Sequence, residues 1–136
     1  MNNLMIEATK YTPEISFDCK KHLLEIKGKS YPENTSVFYQ PIFEWLEEYF
    51  ERDDTQNVTV NMELIYFNSS SSKVLMDFCD VLDEAADSGK NVTVNWIYEE
   101  DDEDAQEFGE EFQEELESVK FNLVESDNLL DWNLDD

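Results

Sequence analysis

The clearest alternation of apolar and polar positions runs through Val58, Val60, Met62, Leu64 and Tyr66, interleaved with Thr59, Asn61, Glu63 and Ile65. A period of two predicts a strand with one buried face. Its end, Ile65-Tyr66-Phe67, is apolar on both sides, which marks a central strand. Thr12 to Phe17 and Leu23 to Gly28 predict two earlier strands, joined as a hairpin through a turn around Asp18 to Lys21. Val92 to Tyr98 predicts a further strand, and Phe121 to Val124 an edge strand.

Between these segments the apolar spacing changes to three and four. Phe38, Ile42, Trp45, Leu46, Tyr49 and Phe50 predict a helix after a turn at Tyr31-Pro32-Glu33-Asn34. Pro41 leaves its start open: either the helix begins near Gln40 with Pro41 first, or an earlier turn is kinked. A helical pattern from Val74 puts Leu75, Phe78, Cys79, Leu82, Ala85 and Ala86 on one face, with Gly89 to end it. Ala105, Phe108, Phe112, Leu116 and Val119 keep helical spacing through an acid-rich stretch. The order β-β-α-β-α-β-α-β predicts an α/β fold, one domain in which a mixed β-sheet is packed with helices. Residues 1–124 are read as that domain and 125–136 as an acidic C-terminal tail, whose Leu129, Leu130 and Trp132 suit docking elsewhere.

Charge narrows the choice of partner. A formal net charge of -25 on 136 residues repels nucleic acid and anionic membranes, and favours partners with a basic patch. No apolar run approaches a transmembrane span, so no membrane insertion is expected. Met1-Asn2-Asn3-Leu4 lacks the basic start and apolar run of an export signal, and Cys19 and Cys79 match no metal or redox spacing. A cytoplasmic protein with reduced thiols is the expectation.

Most candidate chemistry fails on inspection. His22 is the only histidine and sits beside Lys20 and Lys21 in a turn, with no orienting carboxylate identifiable. The best calcium-loop register starts at Asp104, with Gly109 sixth and Glu115 twelfth, but it puts Phe108 at a ligand position. No metal and no cofactor are expected. Ser70-Ser71-Ser72-Lys73 and Ser126-Asp127-Asn128 match two elements of penicillin-recognising enzymes, yet the K-T-G element is missing and the chain is too short. Three glycines are too few for a phosphate-cradling loop. The acidic stretch of residues 99–117 reads either as a solvated helix face or as a docking surface for a basic partner.

What remains is Asn68-Ser69-Ser70-Ser71-Ser72-Lys73, where a strand hands over to a helix. Free N–H groups and the positive end of the helix dipole suit an anion there. Lys73 is the only basic residue between Arg52 and Lys90. The serines serve either as an N-cap with small packing residues or as a place where a phosphoryl group is added and removed.

Several stretches together resemble the SiaC family of bacterial regulatory phosphoproteins: Thr12-Pro13-Glu14-Ile15, Ser30-Tyr31-Pro32-Glu33-Asn34, Leu64 to Ser71 with Lys73, and Trp96-Ile97-Tyr98. The resemblance spans roughly Thr9 to Val124 and implies a STAS-like fold, similar to that of anti-sigma-factor antagonists. It implies a protein without catalytic activity, phosphorylated by a serine/threonine kinase and reset by a PP2C-type phosphatase. The unmodified form would bind and activate a diguanylate cyclase, raising cyclic di-GMP and favouring biofilm formation. The acceptor follows the motif asparagine, which here is Ser69, with Ser70 and Ser71 as neighbouring alternatives. Tyr31, Pro32, Glu33, Asn34, Asn68, Ser70 and Lys73 would contribute to the partner-binding face. Two rival functions remain at this point: an anti-sigma-factor antagonist, and an acidic interaction module with no phospho-switch.

Overall fold

The computed structural model describes residues 1–126. The tail read from the sequence therefore lies, beyond its first two residues, outside the described residues. Six strands form a single sheet in chain order: β1 (Leu4–Ile6), β2 (Glu14–Asp18), β3 (Leu23–Ser30), β4 (Asn57–Phe67), β5 (Asn91–Glu99) and β6 (Lys120–Ser126). The first three are antiparallel, and β3 to β6 are parallel. Three helices make the parallel crossovers: α1 (Thr35–Glu51), α2 (Ser69–Asp87) and α3 (Glu103–Glu115). The result is the expected single α/β domain with a mixed sheet, and β4 is central.

All three helices cover one face. Phe17 of β2 meets Trp45 of α1 at 5.2 Å and Phe78 of α2 at 6.1 Å between ring centroids, and Trp96 of β5 meets Phe112 of α3 at 5.1 Å. Ile15, Leu24, Ile26, Val58, Val60, Met62 and Val94 complete that buried surface. The opposite face is polar and bonds to itself. Asn122 donates to Asn95, Asn95 to Asn61 and Asn61 to Glu25, at 2.9–3.1 Å, one step per strand along a single register row. A half-exposed amide with a partner on each side avoids the cost of an unsatisfied polar group. The row therefore tolerates the open face.

Several local outcomes differ from the sequence reading or go beyond it. β1 was not foreseen; it is held where Asn3 Oδ1 accepts from the Cys19 N–H and the Asn2 carbonyl accepts from Trp45 Nε1. Helix α1 starts at Thr35, not near Gln40, because Asn34 Oδ1 accepts from the Val37 N–H and caps it early. Pro41 lies inside that helix; it removes one N–H, and both it and Val37 are exposed, so the Val37 carbonyl can bond water instead. Helix α2 begins at Ser69, ahead of the apolar pattern that starts at Val74, so the four serines form its first turn and Lys73 lies one turn in.

The fourth difference concerns Tyr66. A register shift at Gly28/Lys29 skips a residue opposite Ile65, and Tyr66 leaves the buried row to stand 53% exposed. Helix α3 stops short of its apolar spacing: it ends at Glu115, Leu116 is its extended C-cap, and Val119 is buried just before β6 and not on the helix. Gly89, at φ 113°, follows α2, with its N–H on the Ala86 carbonyl and the Lys90 N–H on the Ala85 carbonyl. Gly109 has the opposite role, since it lets α3 lie against Trp96. A Cβ there would come within 2.6 Å of the indole.

Candidate functional site at the carboxyl edge of the parallel strands

β3, β4 and β5 run parallel, so their carboxyl ends share one edge of the sheet, and a helix starts immediately after each. Each helix is capped by an Asn or Asp: Asn34, Asn68 and Asp102 accept from the N–H groups of Val37, Ser71 and Ala105 at 3.2, 2.9 and 3.0 Å. Three helix N-termini with their partial positive charge are thus gathered on one edge. Open α/β sheets bind ligands outside the carboxyl ends of their strands where the strand order reverses; the β1-to-β6 order among the described residues has no reversal, so the helix starts alone mark this edge.

Asn68 fixes the middle start. Its N–H donates to the Ser30 carbonyl, its own carbonyl accepts from the Ser72 N–H, and its side chain caps Ser71. Beneath it lies a chain of three buried hydroxyls: Ser71 Oγ is 2.8 Å from Ser30 Oγ, which is 2.7 Å from the Tyr39 hydroxyl. Ser30 and Ser71 are 0% exposed and Tyr39 1%. Burial pushes the Tyr39 phenol up to about 12, only partly opposed by its bond to Ser30, so it remains neutral at any physiological pH. This chain ties α2, β3 and α1 together at one point.

The serine run is sorted by this arrangement. Ser69 and Ser70 are exposed at the first two helical positions, Ser71 is locked inside, and Ser72 is half-buried. Ser70 and Lys73 face an open groove of about 490 Å³ between the starts of α1 and α2, shared with Glu33, Asn34, Thr35 and Asp77. Of the residues expected to meet a partner, Glu33, Asn34, Ser70 and Lys73 are therefore brought together. Tyr31 packs instead against Tyr11 and Tyr66, and Pro32 is half-buried and does not line the groove.

Tyr31 belongs to an aromatic cluster that the sequence did not disclose. Its ring meets Tyr11 edge-on at 5.3 Å and Tyr66 edge-on at 5.5 Å, and its N–H donates to the Tyr11 carbonyl at 2.8 Å. Tyr11 and Tyr66 are each 53% exposed. A signal for Tyr66 exists only in the register shift, which no residue pattern announces.

This geometry has known counterparts. The model of the SiaC family regulatory phosphoproteins matches residues 6–126. The chain belongs to the SiaC family. An uncharacterized protein of Pseudomonas aeruginosa (strain UCBPP-PA14) is 36% identical over 115 residues, covering 85% of this chain and 90% of that protein. The solved structure of SiaC of Pseudomonas aeruginosa superposes with a TM-score of 0.79 at 32% identity, over 91% of this chain and 97% of that one. A chain in the crystal structure of diguanylate cyclase SiaD in complex with its activator SiaC, from the same species, gives a TM-score of 0.84 at 33% identity. That match covers 90% of this chain and 99% of the other. The family is one of regulatory proteins, and in that complex SiaC is the activator of SiaD.

Proposed function

We propose that this chain is a non-enzymatic partner switch whose state is set by reversible phosphorylation of Ser69. On this reading a serine/threonine kinase adds the phosphoryl group, a PP2C-type phosphatase removes it, and the unmodified form binds and activates a diguanylate cyclase in the cytoplasm. One observation carries the proposal. Asn68 holds the helix start so that Ser69, which directly follows it, is exposed, while Ser71 is sealed in the hydroxyl chain. Burial argues against Ser71 as an acceptor; Ser70 remains the alternative to Ser69.

The physics of the switch is local. A phosphoserine adds roughly -1.5 to -2 charges and three acceptor oxygens. At the first helical position the dipole offsets part of this, by about 0.3–1 kcal/mol, so the folded chain tolerates the modification. A partner closing over Tyr31, Pro32, Glu33, Asn34, Asn68, Ser70 and Lys73 would have to desolvate the same dianion, one residue before the groove that Ser70 shares with Glu33 and Asp77. A penalty of ~3 kcal/mol weakens binding roughly 150-fold without any refolding. Lys73 is the cation on this groove and would partly shield the phosphate.

The test is a pull-down from the native cell with wild-type, Ser69→Ala and Ser69→Asp chains, read by mass spectrometry, with phosphopeptide mapping of the kinase-treated protein. A cyclase retained by the first two and lost by the third supports the reading. A sigma-factor inhibitor in its place would identify an anti-sigma-factor antagonist. Label on Ser70 would move the acceptor by one residue, and binding indifferent to Ser69 but steep in salt would leave an acidic interaction module.

A further inference from the structure

Beside Tyr66 lies a cavity of about 130 Å³ between the end of β4 and the start of α3. Its lining includes the aromatic residues Tyr66, Phe67 and Phe108 and the acidic residues Asp102 and Asp104. Phe67 and Phe108 pack at 4.8 Å, while Tyr66 also meets Tyr31 edge-on, so the cavity borders the Tyr11–Tyr31–Tyr66 cluster through Tyr66 alone. Asp104 and Phe108 also border an adjoining groove of about 320 Å³ with Glu107 and Glu111.

We propose that this cavity receives an arginine side chain from the partner that docks on the carboxyl edge. The proposal rests on the reading of that edge as the docking face and adds the chemistry of the partner. Three features converge on a guanidinium. Aromatic faces attract a cation, and arginine stacks on them better than lysine. Two carboxylates at the rim suit its forked donors. The surrounding field has one sign: residues 99–115 carry eleven Asp or Glu and no Lys or Arg, so an incoming cation meets no competing one on this segment. One oxygen of Asp102 is already committed to capping Ala105, which leaves Asp104, exposed at the rim, as the principal ion-pair partner. A partner with a single arginine among apolar residues would fill the cavity and cover the tyrosine cluster together.

The test is a titration of the full, unphosphorylated chain with the tripeptide amide acetyl-Gly-Arg-Gly and with its citrulline twin, which has the same shape and no charge. Backbone resonances are followed by NMR. The expected result is saturable shifts centred on Tyr66, Phe67, Ala105 and Phe108 for arginine and none for citrulline. Asp104→Asn should weaken arginine binding about fivefold, whereas Asp101→Asn, the same charge change outside the cavity, should leave it within about twofold. Equal losses in both variants would assign the effect to the acidic field and overturn the cavity. So would arginine shifts scattered along α3, or equal binding of the twin. The tripeptide needs neither cyclase nor phosphate. Saturable binding in the cavity combined with a partner indifferent to Asp104→Asn would preserve the site and refute its place on the docking face. A Ser69→Asp chain that still binds its partner would instead overturn the switch and leave the cavity standing.

Discussion

The buried chain Tyr39–Ser30–Ser71 gives an unusual pattern of mutational costs. Ser30 is the middle member, bonded at 2.7 and 2.8 Å to the other two, and all three are at most 1% exposed. Tyr39→Phe or Ser71→Ala removes one end and one bond, and Ser30 keeps a partner. Each should cost ~1 kcal/mol, the net worth of a typical hydrogen bond. Ser30→Ala removes both bonds and strands two buried hydroxyls, each carrying a desolvation penalty of about 1–3 kcal/mol, so roughly 2–5 kcal/mol is expected. The triple variant Ser30→Ala/Tyr39→Phe/Ser71→Ala leaves no buried hydroxyl to satisfy. It should therefore be more stable than Ser30→Ala alone, by ~1 kcal/mol or more. Urea unfolding followed by tryptophan fluorescence measures all four, and coupling is read from the cycle. If Ser30→Ala costs no more than Tyr39→Phe, or if the triple cost equals the sum of the singles, the hydroxyls do not act as a chain.

Two further predictions follow from packing and charge. Gly109→Ala puts a methyl 2.6 Å from the Trp96 indole and 2.7 Å from Leu123, and should destabilise by about 1–3 kcal/mol, with the Trp96 emission shifted as α3 is pushed off the sheet. Asp83 is partly buried, which raises its pKa, but the N–H groups of Val119, Ser118 and Glu117 outweigh this and hold it below the ordinary carboxylate value. A depressed folded pKa contributes stability that is present above the unfolded value, near 4, and is lost as pH falls through the folded one. Asp83→Asn should thus lower Tm at pH 7, and the gap to wild type should close as thermal scans move below pH 4. A gap independent of pH would refute that assignment.

The periodic elements were legible because the sheet has one buried face and one open one. Val58, Val60, Met62 and Leu64 must alternate, and Ala105, Phe108 and Phe112 must recur at helical spacing whatever the acidity around them. What escaped were features decided by tertiary partners. β1 is three residues long, too short to show a period, and exists because Asn3 and Trp45 hold it. The start of α1 was hidden by Pro41, although Asn34 was in view as a turn residue. The serines were legible as a helix start, but which of them is buried was not, because the Ser30 hydroxyl that receives Ser71 comes from β3. In the candidate site, Asn68, Ser70 and Lys73 could be named from the sequence. Tyr11, Tyr66 and the Ser30–Tyr39 pair could not, because a register shift and a long-range contact place them.

The most direct measurement is the affinity of the unmodified chain and of a chain carrying phosphoserine only at position 69 for the diguanylate cyclase that the proposed pull-down is expected to recover, titrated by calorimetry at one ionic strength. The account predicts a loss of about 100-fold or more on modification, with both chains folded to the same Tm within a few degrees. Equal affinities for two equally folded chains would contradict it.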